Sequence, residues 1–555
     1  MWADEGPTMV TGMSIYNDTS PPMRDIAISV MAPPTGLSLE VPIRMRPGTL
    51  ERMPDDQGPD PLRQLNDRPI LEAAATPPPT LSVEGLDEDD NFNLLGTRIV
   101  PPDTNGDVGI DYYVQWNNLV WGVFHKTTGA LVGGPFAGNS FWSGFGGFCE
   151  SNNNGDPVVQ FDDNAGRWMV SQFSINQGIQ CVAVSTSSDP LGSYHRYAFT
   201  VTPGGQNDYP KMGVWDDGTT GSTGQSAYTF TMRDFGVTGF IGEGVMERDA
   251  MLVGDPAEFI KFQMACTGLD CREGTLMAHL DGGPVAAGTC PSFFTYFDAQ
   301  FDDGPSVVDG VRVDKLCVDW DTIGNSTWSE GTFAAGASFD RGLGNGFSGC
   351  ISPVFGGEAL ACLAIFTMHP AQIRQHDGYC SALLNVTVDV GGALAGVRWG
   401  ELRSTDCENN WTFHQEGTYA PDGNDRWMGS IAMDGSGNIA LGYSESSGSM
   451  FPAVSYTSRT AADPLGMMPG GEMNCHQGTG AQTASAGRWG DYSRMSVDPV
   501  NDCTFWFTTE YYETTSSFNF KTRICSFTMD ECAPDGIFAD GFEAGDSSAW
   551  DITNP

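Results

Sequence analysis

Lysine is scarce in this chain: five among 555 residues, at positions 126, 211, 261, 315 and 521. Lys and Arg together number 27 against 70 Asp and Glu, a formal charge of −43. Nucleic acid and anionic lipid are bound through clustered cations, so both are excluded as expected partners. Apolar runs are short as well. None reaches the roughly 18 residues of a transmembrane helix, so no membrane span is expected. The N-terminal MWADEGPTMV is acidic and has no apolar h-region, and for an exported protein it reads as mature chain. The 14 cysteines include no Cys-x-x-Cys pair, and the seven histidines no His-Glu-x-x-His. No Gly-x-Ser-x-Gly elbow and no Walker loop occurs. Zinc protease, serine hydrolase and NTPase readings therefore fall away.

What the chain has is turns and aromatics: 70 Gly, 34 Pro and 11% Phe, Trp and Tyr, a composition of short strands with little helix. The even, scattered cysteines read as up to seven disulfides formed in an oxidising compartment. Spacing leaves the connectivity open; Cys266/Cys271 and Cys525/Cys532 are local candidates.

The chain divides into three parts. Residues 1–92 carry Pro21-Pro22, Pro33-Pro34 and Pro77-Pro78-Pro79 and read as an extended arm without a core of its own. Residues 93–532 carry repeated strand–turn–strand signals. Residues 533–555 form an acidic, Gly-rich tail. The clearest hairpin is Arg488–Glu513, RWGDYSRMSVDPVNDCTFWFTTEYYE, turning at Asp498–Asp502. Others lie at 112–132, 158–173, 212–231, 316–328, 361–402 and 431–443. Most steps between turns fit a four-stranded blade with insertions. The long step between the turns near 217 and 321 needs an insertion near 234–312 or a missed repeat. The expected fold is an all-β, seven-bladed propeller with an extended N-terminal arm and a short tail. Two tandem β-sandwiches are the rival. Gly244–Leu252 is the best helix candidate.

Candidate chemistry falls in three places. Asp103, Asn105, Asp107 and Asp111 alternate as in an EF-hand-type loop, which expects a structural Ca²⁺. Val108 and Val114 stand where that loop wants Gly and a bidentate Glu. The lead-ins Asn207–Lys211, Asn424–Trp427 and Arg488–Tyr492 gather polar and aromatic residues just before hairpins. There Tyr209, Arg426, Trp427, Arg488, Trp489 and Tyr492 could bind a sugar by stacking and paired hydrogen bonds. Asp208, Asp425 and Asp491 could supply an acid/base pair. The plainer alternative makes these residues struts repeated because the blade repeats.

Turns at Asp163–Trp168, Asp321–Trp328 and Asp434–Asn438 resemble the Asp-boxes of sialidase-like propellers without matching fully. That resemblance implies fold and no catalysis. The segments 101–118, 152–173, 207–215, 419–444 and 488–512 together resemble a widespread family of large secreted bacterial proteins. That resemblance implies a propeller-like fold and an extracellular location, and brings no catalytic residues. The tail IFADGFEAGDSSAW resembles a short C-terminal segment of exported proteobacterial proteins. The expected function is an extracellular binding or structural protein at the cell surface. Its partners would be a glycan, a protein surface or, through the arm, a second copy. The alternative is an enzyme acting on extracellular polysaccharide.

Overall fold

The computed structural model describes residues 6–26, 38–40, 59–65, 74–237, 240–264, 274–299, 308–343, 349–351, 356–485, 487–530 and 532. The protein is all-β and propeller-like. The N-terminal segment holds β1 (Thr8–Met13), β2 (Tyr16–Thr19), β3 (Ser38–Glu40), β4 (Arg63–Gln64) and β5 (Leu81–Glu84). Helix α1 (Glu88–Leu95) and β6 (Arg98–Val100) follow.

Seven antiparallel meanders come next. The first is β7 (Asn105–Val108), β8 (Tyr112–Asn117), β9 (Val120–His125) and β10 (Leu131–Ala137). The second is β11 (Val158–Asp162), β12 (Arg167–Ser174), β13 (Ile179–Ser185) and β14 (Tyr194–Thr200). The third is β15 (Gln206–Trp215), β16 (Ala227–Phe235), β17 (Ile241–Met246) and β18 (Glu258–Met264). The fourth is β19 (Leu276–Leu280), β20 (Ser292–Phe297), β21 (Gly310–Cys317) and β22 (Thr327–Ala335). The fifth is β23 (Thr367–His376), β24 (Tyr379–Asp389), β25 (Ala395–Ser404) and β26 (Thr412–Tyr419). The sixth is β27 (Asp425–Met433), β28 (Ile439–Ser447), β29 (Met450–Arg459) and β30 (Glu472–Gln477). The last is β31 (Arg494–Val497), β32 (Thr504–Tyr511) and β33 (Lys521–Thr528), which takes β5 as its fourth strand.

First strands of successive meanders adjoin in order, and β31 adjoins β7. β19 and β23 even pair in parallel. This arrangement sets the strands side by side round a common axis, unlike the two face-to-face pairs of tandem sandwiches. It also explains the sequence. A sheet packed on both faces buries every residue of its inner strands, so β13 (IQCVAVS) and β27 (DRWMGSIAM) show no exposed position. Polar side chains on these strands then need partners. Asn105 Oδ1 accepts from Val159 N (3.0 Å) and Asp107 Oδ2 from Phe161 N (2.9 Å). Gln372 Oε1 accepts from Met433 N (2.6 Å), and Ser430 Oγ links His369 O (3.1 Å) to Met495 N (2.8 Å). First strands are thus tied to their neighbours by buried side chain-to-backbone bonds.

The described part of the stretch 234–312, read as an insertion, carries β17, β18, β19, β20 and the start of β21. The helix expected at 244–252 begins later, as α3 (Arg248–Val253), because Gly244–Met246 pair in β17. The arm docks on its own chain: β1 lies antiparallel outside β18, β2 outside β14 and β5 outside β33, while β4 runs parallel outside β26. It also contains an α-helix, α1, started by a capping box between Asp87 and Asp90. The tail 533–555 and Cys266/Cys271 lie outside the described residues. Among the described residues no helix is long and apolar enough to cross a membrane.

The described disulfides are Cys149–Cys181, Cys290–Cys317, Cys350–Cys362, Cys380–Cys407, Cys475–Cys525 and Cys503–Cys532. Cys525 and Cys532 therefore do not pair with each other. Cys525 faces the outer strand of the neighbouring sheet, and Cys532 folds back to the β31–β32 turn. Six disulfides fit an oxidising, extracytoplasmic setting.

Candidate functional site

Near the start of each first strand lies a backbone corner in the left-handed region, which side chains other than glycine adopt at a cost. In chain order the corner residues are Asp103 (φ 49°), Asp156 (46°), Tyr209 (52°), Gly274 (79°), Leu363 (47°), Met428 (51°) and Asp491 (63°). At Tyr209 and Met428 the corner coincides with a bulge, between Asp208 and Lys211 and between Trp427 and Ser430. The corner recurs, but its chemistry does not. The last, first, second and third meanders bring Asp491, Asp103, Asp156 and Asp208 to adjoining positions. The fifth and sixth bring Leu363 and Met428. A purely structural repeat would hold like residues at like positions. Here one side of the mouth is acidic and the other apolar.

The acidic side is tightly organised. Arg488 grips Asp491 with both terminal nitrogens, one at 2.7 Å. Asp103 Oδ2 accepts from Asn118 Nδ2 (2.8 Å), while its Oδ1 is buried without a partner. Asp156 Oδ2 accepts from Tyr209 N (3.1 Å) and lies 3.4 Å from the Tyr492 hydroxyl, which donates to Pro210 O (2.8 Å). The Tyr209 hydroxyl donates to Asp491 O (2.9 Å). Glu510, fully buried below, accepts from Gly490 N (3.0 Å) through Oε1 and leaves Oε2 unpartnered. Lys211 Nζ lies 3.1 Å from the Tyr209 ring centroid and makes no hydrogen bond to a described residue.

Burial drives the protonation states. Desolvation, then the charge of Asp156, pushes Asp103 well above the carboxylate range. Desolvation, then the charges of Asp208 and Asp491, does the same to Asp156. Desolvation raises Glu510 and pulls Lys211 well below the usual amine range. Asp156, Asp208 and Asp491 keep partial exposure, so the cluster opens to solvent. The mouth thus places a proton-holding Asp156 beside an Asp491 that is ion-paired, with an amine and two tyrosines around them.

The sequence-derived candidates divide accordingly. Asp208, Tyr209, Arg488, Asp491 and Tyr492 come together. Asp425 does not join them; its Oδ1 accepts from Ala395 N (2.9 Å) as a strut between the fifth and sixth meanders. Arg426, itself buried, turns away to pair with Asp422 (2.8 Å), Glu445 (3.2 Å) and Glu472 (2.7 Å). Trp427 and Trp489 are fully buried with ring centroids 5.7 Å apart, so neither offers a face to a sugar. Asp156, Lys211 and Glu510 were missed. The signal for Asp156 was Gly155-Asp156-Pro157, an Asp–Pro step just before the first strand of its meander.

The run Asp103–Asp111 does not fold as a single loop. Asn105 and Asp107 lie on strand β7 with their oxygens taken by backbone N–H groups, and Asp107 Oδ2 also meets Arg494 Nη2 (3.2 Å). Asp111 is exposed. Among the described residues Glu84, His476 and Glu513 do set ligand atoms within 4.8 Å of one another. Glu84 is already engaged by the Tyr511 hydroxyl (2.7 Å) and by Arg523.

No protein-family profile and no curated protein matches this chain. Solved structures resembling it include an ulvan lyase of polysaccharide lyase family PL25, bound to -[GlcA(1-4)Rha3S]-. That likeness is 12% identical over 76% of this chain and 91% of the other, TM-score 0.35. The N-terminal domain of Nup159 is 7% identical over 84% and 100%, TM-score 0.33. The Penicillium chrysogenum alpha-L-arabinanase complexed with arabinobiose is 10% identical over 59% and 94%, TM-score 0.29. All three TM-scores lie below 0.5, and no activity is transferred from them.

Proposed function

We propose that this chain is an extracellular, disulfide-stapled, seven-bladed β-propeller that binds a glycan at its acidic mouth. Support for seven blades comes from the seven meanders, the ordered contacts of their first strands and the β5–β33 pairing that joins the two ends of the ring. The six described disulfides support export. One observation carries the binding reading: the corner position differentiates into Asp103, Asp156 and Asp491 on adjoining blades, with Asp208 and an unbonded Lys211 beside them. Partly exposed carboxylates with a buried amine behind them suit the hydroxyl pattern of a sugar. A glycan array followed by calorimetry on the best hit tests this. Asp208→Asn and Lys211→Met are expected to weaken binding at least tenfold. Variants that bind like the parent would refute the reading.

A second reading is favoured by the contrast between Asp156, held protonated, and Asp491, ion-paired to Arg488. Such a split equips a glycoside hydrolase with an acid and a base or nucleophile. Release of new reducing ends from the bound glycan, lost in Asp156→Asn while binding persists, would assign the enzyme. Binding without any release would leave the first reading standing.

A further inference from the structure

At the opposite end of the first strands, the seam between β23–β26 and β27–β30 encloses a cavity of about 170 Å³. One water needs only ~10–15 Å³ by a like measure, so the space holds a polyatomic group. Its lining carries two guanidinium groups against one carboxylate, in a molecule of formal charge −43. Arg403, Arg459, His376, His414 and Tyr379 face it, with Glu401 as the acidic residue of the lining.

Glu401 is already spent. Its Oε1 accepts from Arg403 Nε (2.5 Å) and its Oε2 from Gln415 Nε2 (2.6 Å). Arg459 is 1% exposed and has no carboxylate within ion-pair distance among the described residues. Its Nε donates to Thr460 O (3.2 Å) and Nη2 to Asp463 O (2.7 Å), while Nη1 is buried with no partner. The Asp463 carboxylate turns to Thr460 N (2.7 Å). A buried guanidinium with an empty donor is costly unless something fills it. Other donors are also unspent. Arg403 stacks over Tyr379 (4.3 Å), which stacks on His376 (ring centroids 4.6 Å), and the Arg403 Nη groups bond no described residue. His376 Nε2 pairs with Ser381 Oγ (2.9 Å), leaving Nδ1.

We propose that this cavity binds an oxoanion: the sulfate, phosphate or carboxylate group of a ligand, held by Arg459 Nη1 and the Arg403 fork with His414 and Tyr379 beside it. A planar fork meeting several oxygens at once is the geometry guanidinium groups provide. The site is independent of the mouth.

The test titrates the full-length protein with sodium sulfate and sodium phosphate against sodium chloride at matched ionic strength, by calorimetry and thermal melting. Sulfate also stabilises proteins by exclusion from their surfaces, so the comparison between variants decides. Saturable sulfate binding is expected, weakened tenfold or more in Arg403→Gln, whose side chain is 33% exposed. Arg459→Met is expected to abolish it, and Asp208→Asn at the mouth to leave it unchanged. Displacement of sulfate by a sulfated or uronate oligosaccharide would assign the group to a polysaccharide. Saturation without such displacement would assign a free ion, and either result supports the site. Sulfate acting no differently from chloride, or acting equally on the parent and Arg403→Gln, overturns the proposal.

Discussion

Glu445 shows how much one buried residue responds to its neighbours. It is 4% exposed and accepts from Asn424 Nδ2 (2.8 Å), Ser455 Oγ (2.9 Å) and Arg426 Nη2 (3.2 Å). Burial, then the charge of Glu472, still pushes its carboxyl up to about 7. The folded state therefore binds a proton that the unfolded chain releases above its ordinary carboxylate range. Stability from this group is full below about pH 4.5 and is lost as pH rises through 7. Glu445→Gln is expected to lose less stability than the parent between pH 5 and pH 8, by something on the order of 2 kcal/mol. Urea unfolding at the two pH values measures it; equal losses would contradict the assignment. The Arg488–Asp491 pair was legible in the sequence because the partners stand three positions apart. Asp156 was not, since its neighbours Asp208 and Asp491 come from other blades.

At the scale of elements, the hairpins were legible and the arm was not. Asp162–Gly166, Asp434–Asn438 and Asp498–Asp502 turn as expected, with Ser436 N and Asn438 N both donating to Asp434 Oδ1 (2.9 Å each). Turn residues act locally, so composition reveals them. The arm reads as coreless because β1, β2, β4 and β5 bury little of their own. Each takes its hydrogen bonds from the open edge of another sheet. Arg196 meets Asp18 twice at 2.7 Å where β2 docks. The strands differ in consequence. Without β1 and β2, β11–β14 and β15–β18 remain four-stranded. Without β5 the last sheet keeps three strands and bares the edge of β33. Deleting residues 1–26 should cost a few °C of melting temperature, on the order of 1–2 kcal/mol. Deleting residues 1–86 should give insoluble protein. Soluble yield and thermal melts check both, and a soluble, cooperatively melting 87–555 chain would refute the closing role of β5.

For the whole molecule, the proposed ring closure makes a further prediction. Cys475 on β30 and Cys525 on β33 bridge neighbouring sheets across 50 residues of chain. Beside the bridge, Ser82 Oγ of β5 donates to Cys475 O (3.0 Å). Replacing both cysteines by serine should cost roughly 2–4 kcal/mol. Guanidinium unfolding of the double variant against the parent measures this, and an unchanged midpoint would mean that the staple adds nothing to ring closure.

The sequence by itself determined the all-β class, most of the hairpins and a disulfide-forming setting, because strand content, turn chemistry and cysteine count are local or additive properties. Tertiary structure alone decided three things: which cysteines pair, where the arm goes, and which acidic residues share a mouth. Asp425 and Asp491 occupy similar lead-ins. One became a strut and the other a site residue through what the neighbouring blade places opposite. The same holds for Arg459, an arginine at the end of a strand until folding buries it with no carboxylate in ion-pair distance among the described residues. Separations of tens to hundreds of residues set these contacts, and no local pattern encodes them.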